Sequence, residues 1–307
     1  MTEETGRGAR DWQLEHYARV GKEYGDKHFT RADSEYTNWV LGQIAGVKPD
    51  ARTIAEVGAG TCVFASLLGS RMGLELPVVC YEPVAELLEA AADFANVRAV
   101  HGGAAEFARD APDNAFDLVY TKDTAHHFPV DSLTGVHRGL CAKLKPGGRY
   151  LMVVRTPPDP ALVPVGRDAG RRWPDLYTSL GDLLAAMRKV PDWREVAVTR
   201  WEKAVPTSAR EWIDGVRGRD TWSVFSALGP DEIAATVDEL EARFDGGAAF
   251  DFLHQYDVAV FEKPGRRRRP TTATSAPAGG TRGLRRVRGP DCESGVEDTG
   301  VGTGATR

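Results

Sequence analysis

Between residues 53 and 154 the sequence repeats one theme five times, a short apolar run of strand length followed by a segment with helical spacing. The runs fall at 53–57, 78–81, 97–100, 116–120 and 149–154. Strands alternating with helices imply a parallel, doubly wound sheet. Two later runs, 196–201 and 256–261, read as strands on either side of a mostly helical stretch and predict an antiparallel edge. The expected fold is therefore α/β, a mostly parallel seven-stranded sheet. Ahead of it, Tyr17, Val20, Tyr24, Trp39, Val40, Leu41 and Ile44 lie at helical spacing, broken near Gly25 and Thr30. This predicts a helical cap over 1–46, a main domain over 47–264 with an insertion at about 156–250, and a tail over 265–307. The tail opens on four consecutive arginines and has almost no large apolar residues. Such a composition cannot repay its ordering entropy, so the tail is expected to be disordered.

Charge narrows the function. Residues 265–307 hold nine of the 39 Lys+Arg and four of the 44 Asp+Glu, which leaves 30 against 40 and a net charge of −10 on the rest. A body that acidic is poorly suited to nucleic acid, whose binding rests on cationic contacts to phosphates, and a small-molecule ligand is expected instead. The N-terminus lacks an apolar signal core and no stretch approaches 18 uninterrupted apolar residues, so no membrane span and a cytoplasmic location are expected. Cys62, Cys80, Cys141 and Cys292 show no metal-ligand spacing and read as free thiols, with no metal site expected. Oligomeric state is left open.

The first strand ends in Glu56-Val57-Gly58-Ala59-Gly60-Thr61-Cys62, and an apolar helix follows from Val63. Glycines let backbone approach a ligand closely, and the helix start offers free N–H groups. A dinucleotide fingerprint would need a third glycine where Val63 stands, which disfavours a pyrophosphate. Glu56 points the same way, because a carboxylate suits a cationic ligand. Glu82 closes the second strand 22 residues beyond Gly60, where an acid can accept both hydroxyls of a ribose.

With these residues the chain resembles the class I S-adenosylmethionine methyltransferases, whose first motif is an acidic residue followed by spaced glycines. The resemblance continues through Glu82, through Phe116-Asp117-Leu118-Val119 and through Leu144-Lys145-Pro146-Gly147-Gly148, over roughly 50 to 155. It implies a Rossmann-like fold with N-terminal helices and a helical lid insertion, S-adenosylmethionine as cofactor, and methyl transfer to a small-molecule acceptor. The cofactor residues it implies are Glu56, Gly58, Gly60, Glu82, Gly103, Ala104 and Thr121, with Tyr17 as a cover. Two positions depart from the pattern. Cys62 stands where a third glycine falls, and Gly103-Ala104-Ala105 replaces an acid that reaches the adenine amine. That amine is left to backbone near Gly103 and Ala104 or to Glu106, unless Glu106 merely faces solvent.

After the fourth strand come Thr121-Lys122-Asp123-Thr124-Ala125-His126-His127-Phe128, at the sheet end where open α/β folds place ligands. His127 and His126 are the candidates for a general base, the alternative being that one packs or caps the next helix. Adjacent histidines are expected to diverge, which argues against a metal. Tyr24, Lys122 and Arg155 are the candidate substrate contacts. Arg171, Arg172, Arg217 and Arg219 could clamp an anion or simply face solvent, and Trp173, Trp193, Trp201, Trp212 and Trp222 could line the acceptor pocket or fill the lid's own core. Two alternatives keep the fold: a sulfonium-binding enzyme of another reaction, and a non-catalytic binding protein.

Overall fold

In the computed structural model, residues 13–19, 35–155, 164–219, 222–244 and 248–265 are described. Tyr24, the break near Gly25 and Thr30, and the tail expected to be disordered lie outside them. The elements run α1 (13–19), α2 (Glu35–Val47), β1 (Ile54–Val57), α3 (Val63–Met72), β2 (Val78–Glu82), α4 (Ala85–Leu88), β3 (Val97–His101), α5 (Ala104–Asp110) and β4 (Phe116–Lys122). They continue with α6 (Leu133–Lys143), β5 (Leu144–Arg155), α7 (Arg167–Leu176), α8 (Leu180–Arg188), β6 (Arg194–Ser208), α9 (Ala209–Gly218), α10 (Ser223–Ser226), α11 (Pro230–Arg243) and β7 (Ala249–Glu262).

The seven strands form one sheet in the order β3-β2-β1-β4-β5-β7-β6. The first five are parallel, and β7 runs against both of its neighbours. β1 and β2 are buried along their whole length, as strands covered by helices on both faces must be. Alternation along them feeds two cores. Ala55, Val57 and Val119 meet α5, α6 and α8 on one face, while Ile54, Leu118 and Tyr120 meet α2 and α3 on the other.

Two parts of the motif pattern are structural staples. Asp117 accepts from the backbone N–H of Arg52 and Thr53 (3.0 Å each) and from Lys145 Nζ (3.0 Å), which locks β4 to the start of β1. These donors hold its carboxyl down at about 2 against the opposing effect of burial. At Gly148 a Cβ would lie 2.8 Å from the Lys145 carbonyl and 3.0 Å from that of Phe116, so only glycine permits the register shift within β5 against β4.

The expected insertion divides. α8 packs into the main core through Leu183, Leu184 and Met187. A separate small core joins α7, α9, α10 and α11 through Trp212, Val216, Phe225, Ile233 and Leu240. The β6–β7 hairpin is also about twice the expected length, running to a Ser208–Ala249 pair. Its outer half contains Pro206 and polar residues, a composition tolerated because β6 is an edge strand with one side free of ladder bonds. Among the described residues, no helix is long and apolar enough to cross a membrane.

Candidate active site

The strand order reverses between β1 and β4, and the loops at their carboxyl ends open into a cavity of about 1060 Å³. Its lining includes seven of the expected cofactor residues: Glu56, Gly58, Gly60, Glu82, Gly103, Ala104 and Tyr17. Thr121 is absent from that lining. It is fully buried, and its hydroxyl is paired with Tyr150 Oη at 2.9 Å, because alternation along β4 turns it away from the wall that Lys122 joins.

The loop after β1 is built for a ligand. Gly58 has φ +76°, and a Cβ there would fall 2.1 Å from Thr124 Cγ2. Gly60 is also left-handed, and its N–H donates to Glu82 Oε2 (2.8 Å), while Val84 N–H donates to Oε1 (3.0 Å). Each Glu82 oxygen keeps a lone pair, so the carboxylate held by these two donors can still accept from a diol. Cys62 stands at the N-cap of α3 with φ 62°, so it adopts the backbone that a third glycine would supply, and its side chain fills the core beside Cys80. The departure in sequence is no departure in geometry. Cys62, Cys80 and Cys141 are free and buried.

Glu56 is 1 % exposed, with one carboxylate oxygen accepting from Tyr120 Oη at 2.8 Å. Burial pushes its pKa up to about 8, against the lowering effects of Lys122 and Tyr120. A cation beside it would restore the charge. Glu106 is half-buried and does not stand free: Oε2 accepts from Gly103 N–H at 2.8 Å and caps α5 from the cavity wall.

His127 lies on the cavity wall, and its ring is held at both nitrogens. Gln13 Nε2 donates to Nδ1 (2.8 Å), which places the proton on Nε2, facing Tyr17 Oη at 3.3 Å. Burial keeps the ring neutral, well below its usual pKa. A base with an open lone pair is therefore not what His127 offers. His126 is outside the lining, with Nδ1 buried and without a hydrogen-bond partner among the described residues, its ring against Tyr177 and its pKa held at about 3 by burial. The two rings do not diverge: their centroids are 4.0 Å apart, because a tight 3₁₀ turn over Ala125–His127 replaces extended chain. Among the described residues, no three His, Cys, Asp or Glu side chains could share a metal ion.

Lys122 lines the cavity as expected, and Arg155 does not. Arg155 is packed over the rings of Trp222 and Tyr256 (5.3 and 4.8 Å to the centroids) and donates to the Tyr256 hydroxyl. Arg171, Arg172 and Arg217 form surface pairs with Asp168, Glu232 and Asp214, and Arg219 ends α9 in the left-handed conformation. Trp212 and Trp222 belong to the lid core, and Trp193 and Trp201 to the two sheet cores. Gln13, His16, Asp123 and Tyr36 were not singled out from sequence. Gln13 and Tyr17 share a face of α1 by their i, i+4 spacing, and His16 reaches Ser226 in the lid at 2.6 Å, so α1 bridges body and lid.

Residues 54–148 match the family described as a methyltransferase domain. Over those residues, about a third of its length, the chain carries a methyltransferase domain. Its fold matches a protein of Bacillus halodurans C-125 assigned as a methyltransferase, at 17% identity over 73% of this chain and 98% of that one, with a TM-score of 0.52. It also matches phosphoethanolamine N-methyltransferase 2 of Haemonchus contortus, solved with phosphomonomethylethanolamine and S-adenosylhomocysteine, at 14% identity over 83% of this chain and 60% of that one, TM-score 0.50. At such identities the likeness is one of fold. No curated protein matches the chain. S-adenosylmethionine fits the residues present: the Gly58 cradle leaves no room for a side chain, both Glu82 oxygens can still accept from a diol, and burial disfavours the Glu56 charge unless a cation stands beside it.

Proposed function

We propose that this methyltransferase acts on a small-molecule acceptor held between the cofactor and α1. The observation that carries the reading is the size and continuity of the cavity, about 1060 Å³ running from Glu82 and Gly103, past Glu56, to Lys122 and His127 beneath Gln13 and Tyr17. Single drug-sized ligands occupy pockets of about 300–1,000 Å³, and this one reaches the top of that range. The acidic body further supports a small acceptor over a nucleic acid.

When bound, S-adenosylmethionine supplies a methyl group already activated by its sulfonium. The protein's part is then positioning, which can contribute up to roughly 7–11 kcal/mol. Glu82 holds the ribose, backbone at Gly103 and Ala104 lies at the adenine end, and Glu56 supplies negative charge. Gln13 fixes the His127 ring, and His127 Nε2–H holds the Tyr17 hydroxyl oxygen at the cavity wall. His127 thus orients Tyr17 and does not itself remove a proton.

The test is incubation of the chain with S-adenosylmethionine labelled in its methyl group and a fractionated metabolite extract. Label entering a small organic product, and lost in Glu82→Ala, is expected. Label entering only protein or RNA would overturn the acceptor class. Tight cofactor binding with no label transferred in any fraction would favour a non-methylating reaction of the same fold.

A further inference from the structure

We propose that the acceptor atom is an amine nitrogen, which enters the cavity unprotonated and leaves it carrying the transferred positive charge. This rests on the methyl-transfer reading above and goes past it to the kind of atom that is methylated.

A hydroxyl acceptor must lose a proton as the methyl group arrives, and a positioned base speeds that loss by about 10²- to 10⁴-fold. Among the described residues, no side chain beneath α1 is set up to take it. His127 is at the wall, but both ring nitrogens are occupied: Nδ1 accepts from Gln13 Nε2 at 2.8 Å, and Nε2 turns its proton toward Tyr17 Oη at 3.3 Å. Asp123 Oδ2 accepts from Tyr36 Oη at 2.8 Å and from Lys122 Nζ at 3.1 Å. Burial alone would raise the Asp123 pKa, yet the neighbouring cations and the Tyr36 bond hold it below the usual range, which makes a poor proton acceptor. Glu82 and Glu106 are bound by the N–H groups of Gly60, Val84 and Gly103 at the ribose and adenine end. With the acceptor between the cofactor and α1, Glu56 at the end of β1 lies on the cofactor's other side.

An acceptor could dispense with a base by arriving as an anion, such as a thiolate or a phenolate. The wall opposes this. Its lining carries five carboxyl groups, Glu56, Glu82, Glu106, Asp123 and Asp131, against one lysine. The Lys122 side chain is 4% exposed, and its ammonium already lies 3.1 Å from Asp123. Like charges brought together away from water repel strongly. The acceptor is therefore neutral as it reacts.

A free amine meets both conditions. Its lone pair forms the N–C bond as the C–S bond breaks, the breaking pair going to sulfur, and no proton moves in that step. The positive charge passes from the sulfonium to nitrogen and stays inside the carboxyl-lined wall. An N–H proton on the product leaves to water after release. An unsaturated carbon would instead become a carbocation that needs a base to remove its proton. Thr124 keeps the spacing fixed: its hydroxyl donates to the Gly58 carbonyl at 3.1 Å, and its carbonyl accepts from the His127 N–H at 2.9 Å. The glycine loop and the wall beneath α1 are thus one rigid unit.

The experiment supplies S-adenosylmethionine with a ¹³C methyl group to the full chain and a fractionated metabolite extract, and reads the products by carbon NMR. The shift of the transferred methyl carbon reports the atom to which it is bonded. A methyl group on nitrogen is expected, and one on oxygen, sulfur or carbon would overturn the proposal. His127→Asn keeps an N–H donor, and it is expected to slow transfer by less than about tenfold, whereas removal of a working base costs about 10²- to 10⁴-fold. The larger loss would overturn the proposal. A second readout needs no turnover: the chain saturated with S-adenosylhomocysteine is titrated by calorimetry with tetramethylammonium, a mimic of the charged product, and with acetate at equal ionic strength. The cation is expected to bind at least about tenfold more tightly, as a carboxyl-lined wall of reduced dielectric requires. Equal affinity, a preference for acetate, or no binding of either would overturn the proposal. Binding of S-adenosylhomocysteine with no methyl transfer to any fraction would sink the methyl-transfer reading itself.

Discussion

Replacing Glu56 by Gln should stabilise the ligand-free protein and cripple cofactor binding, two effects of opposite sign from one side chain. The carboxyl is 1 % exposed, and burial raises its pKa from 4.5 to about 8. An acid with a raised folded pKa contributes stability that is fully present below pH 4.5 and is lost as pH rises toward 8, because only the unfolded chain releases the proton early. At pH 7 the gap is about 2.5 pH units, and at about 1.36 kcal/mol per unit the cost is about 3 kcal/mol. Glutamine keeps the shape and can still accept from Tyr120 Oη, 2.8 Å away in the parent, but cannot ionise. Thermal melts of both proteins between pH 5 and 8 should therefore diverge, the variant gaining several degrees at pH 7 and more at pH 8. In the parent, a bound cation restores the Glu56 charge, so titration with S-adenosylhomocysteine in buffers of different ionisation enthalpy should reveal about one proton released at pH 7. The variant should release none and bind at least tenfold more weakly. A Glu56→Gln protein no more stable than the parent at pH 8, with no proton release on binding in the parent, would refute the argument that this carboxyl is stored uncharged.

Other consequences follow from single positions. His137 is fully buried, neither ring nitrogen has a hydrogen-bond partner among the described residues, and burial lowers its pKa to about 4. Because the folded state resists its protonation, about 3 kcal/mol should be lost as pH falls from 6.5 to 4, and His137→Phe should flatten that acid limb in pH-dependent urea melts. A Gly58→Ala methyl would collide with Thr124, so S-adenosylhomocysteine affinity should fall at least tenfold by calorimetry. Cys62→Gly removes a buried thiol from a left-handed position and should leave cofactor affinity within about threefold, since the backbone and not the sulfur shapes the loop. Gln13→Leu frees the His127 ring, and its pH–rate profile should gain an ionisation that the parent lacks.

The parallel sheet was legible because β1, β2 and β4 are buried along nearly all their length and so read as almost unbroken apolar runs. The cofactor loop was legible because glycines and acids at fixed offsets have few other uses. The outer half of the β6–β7 hairpin was not, since an edge strand half exposed to solvent can be polar and even hold Pro206. Thr121 was misplaced by one step of strand alternation, and Asp123 was missed because a left-handed turn at an aspartate leaves no periodic signal. Gln13 and Tyr36 owe their importance to tertiary partners 114 and 87 residues away, which no local pattern encodes.

The most direct test of the central claim is calorimetric titration of the chain with S-adenosylhomocysteine beside a Glu82→Ala control of demonstrated fold. Glu82 is the residue through which the glycine loop, β2 and the ribose position are joined, with bonds of 2.8 and 3.0 Å to Gly60 and Val84. The account predicts one saturable site in the micromolar range that the substitution abolishes. Absence of binding to the folded chain, or binding that Glu82→Ala leaves unchanged, would contradict it.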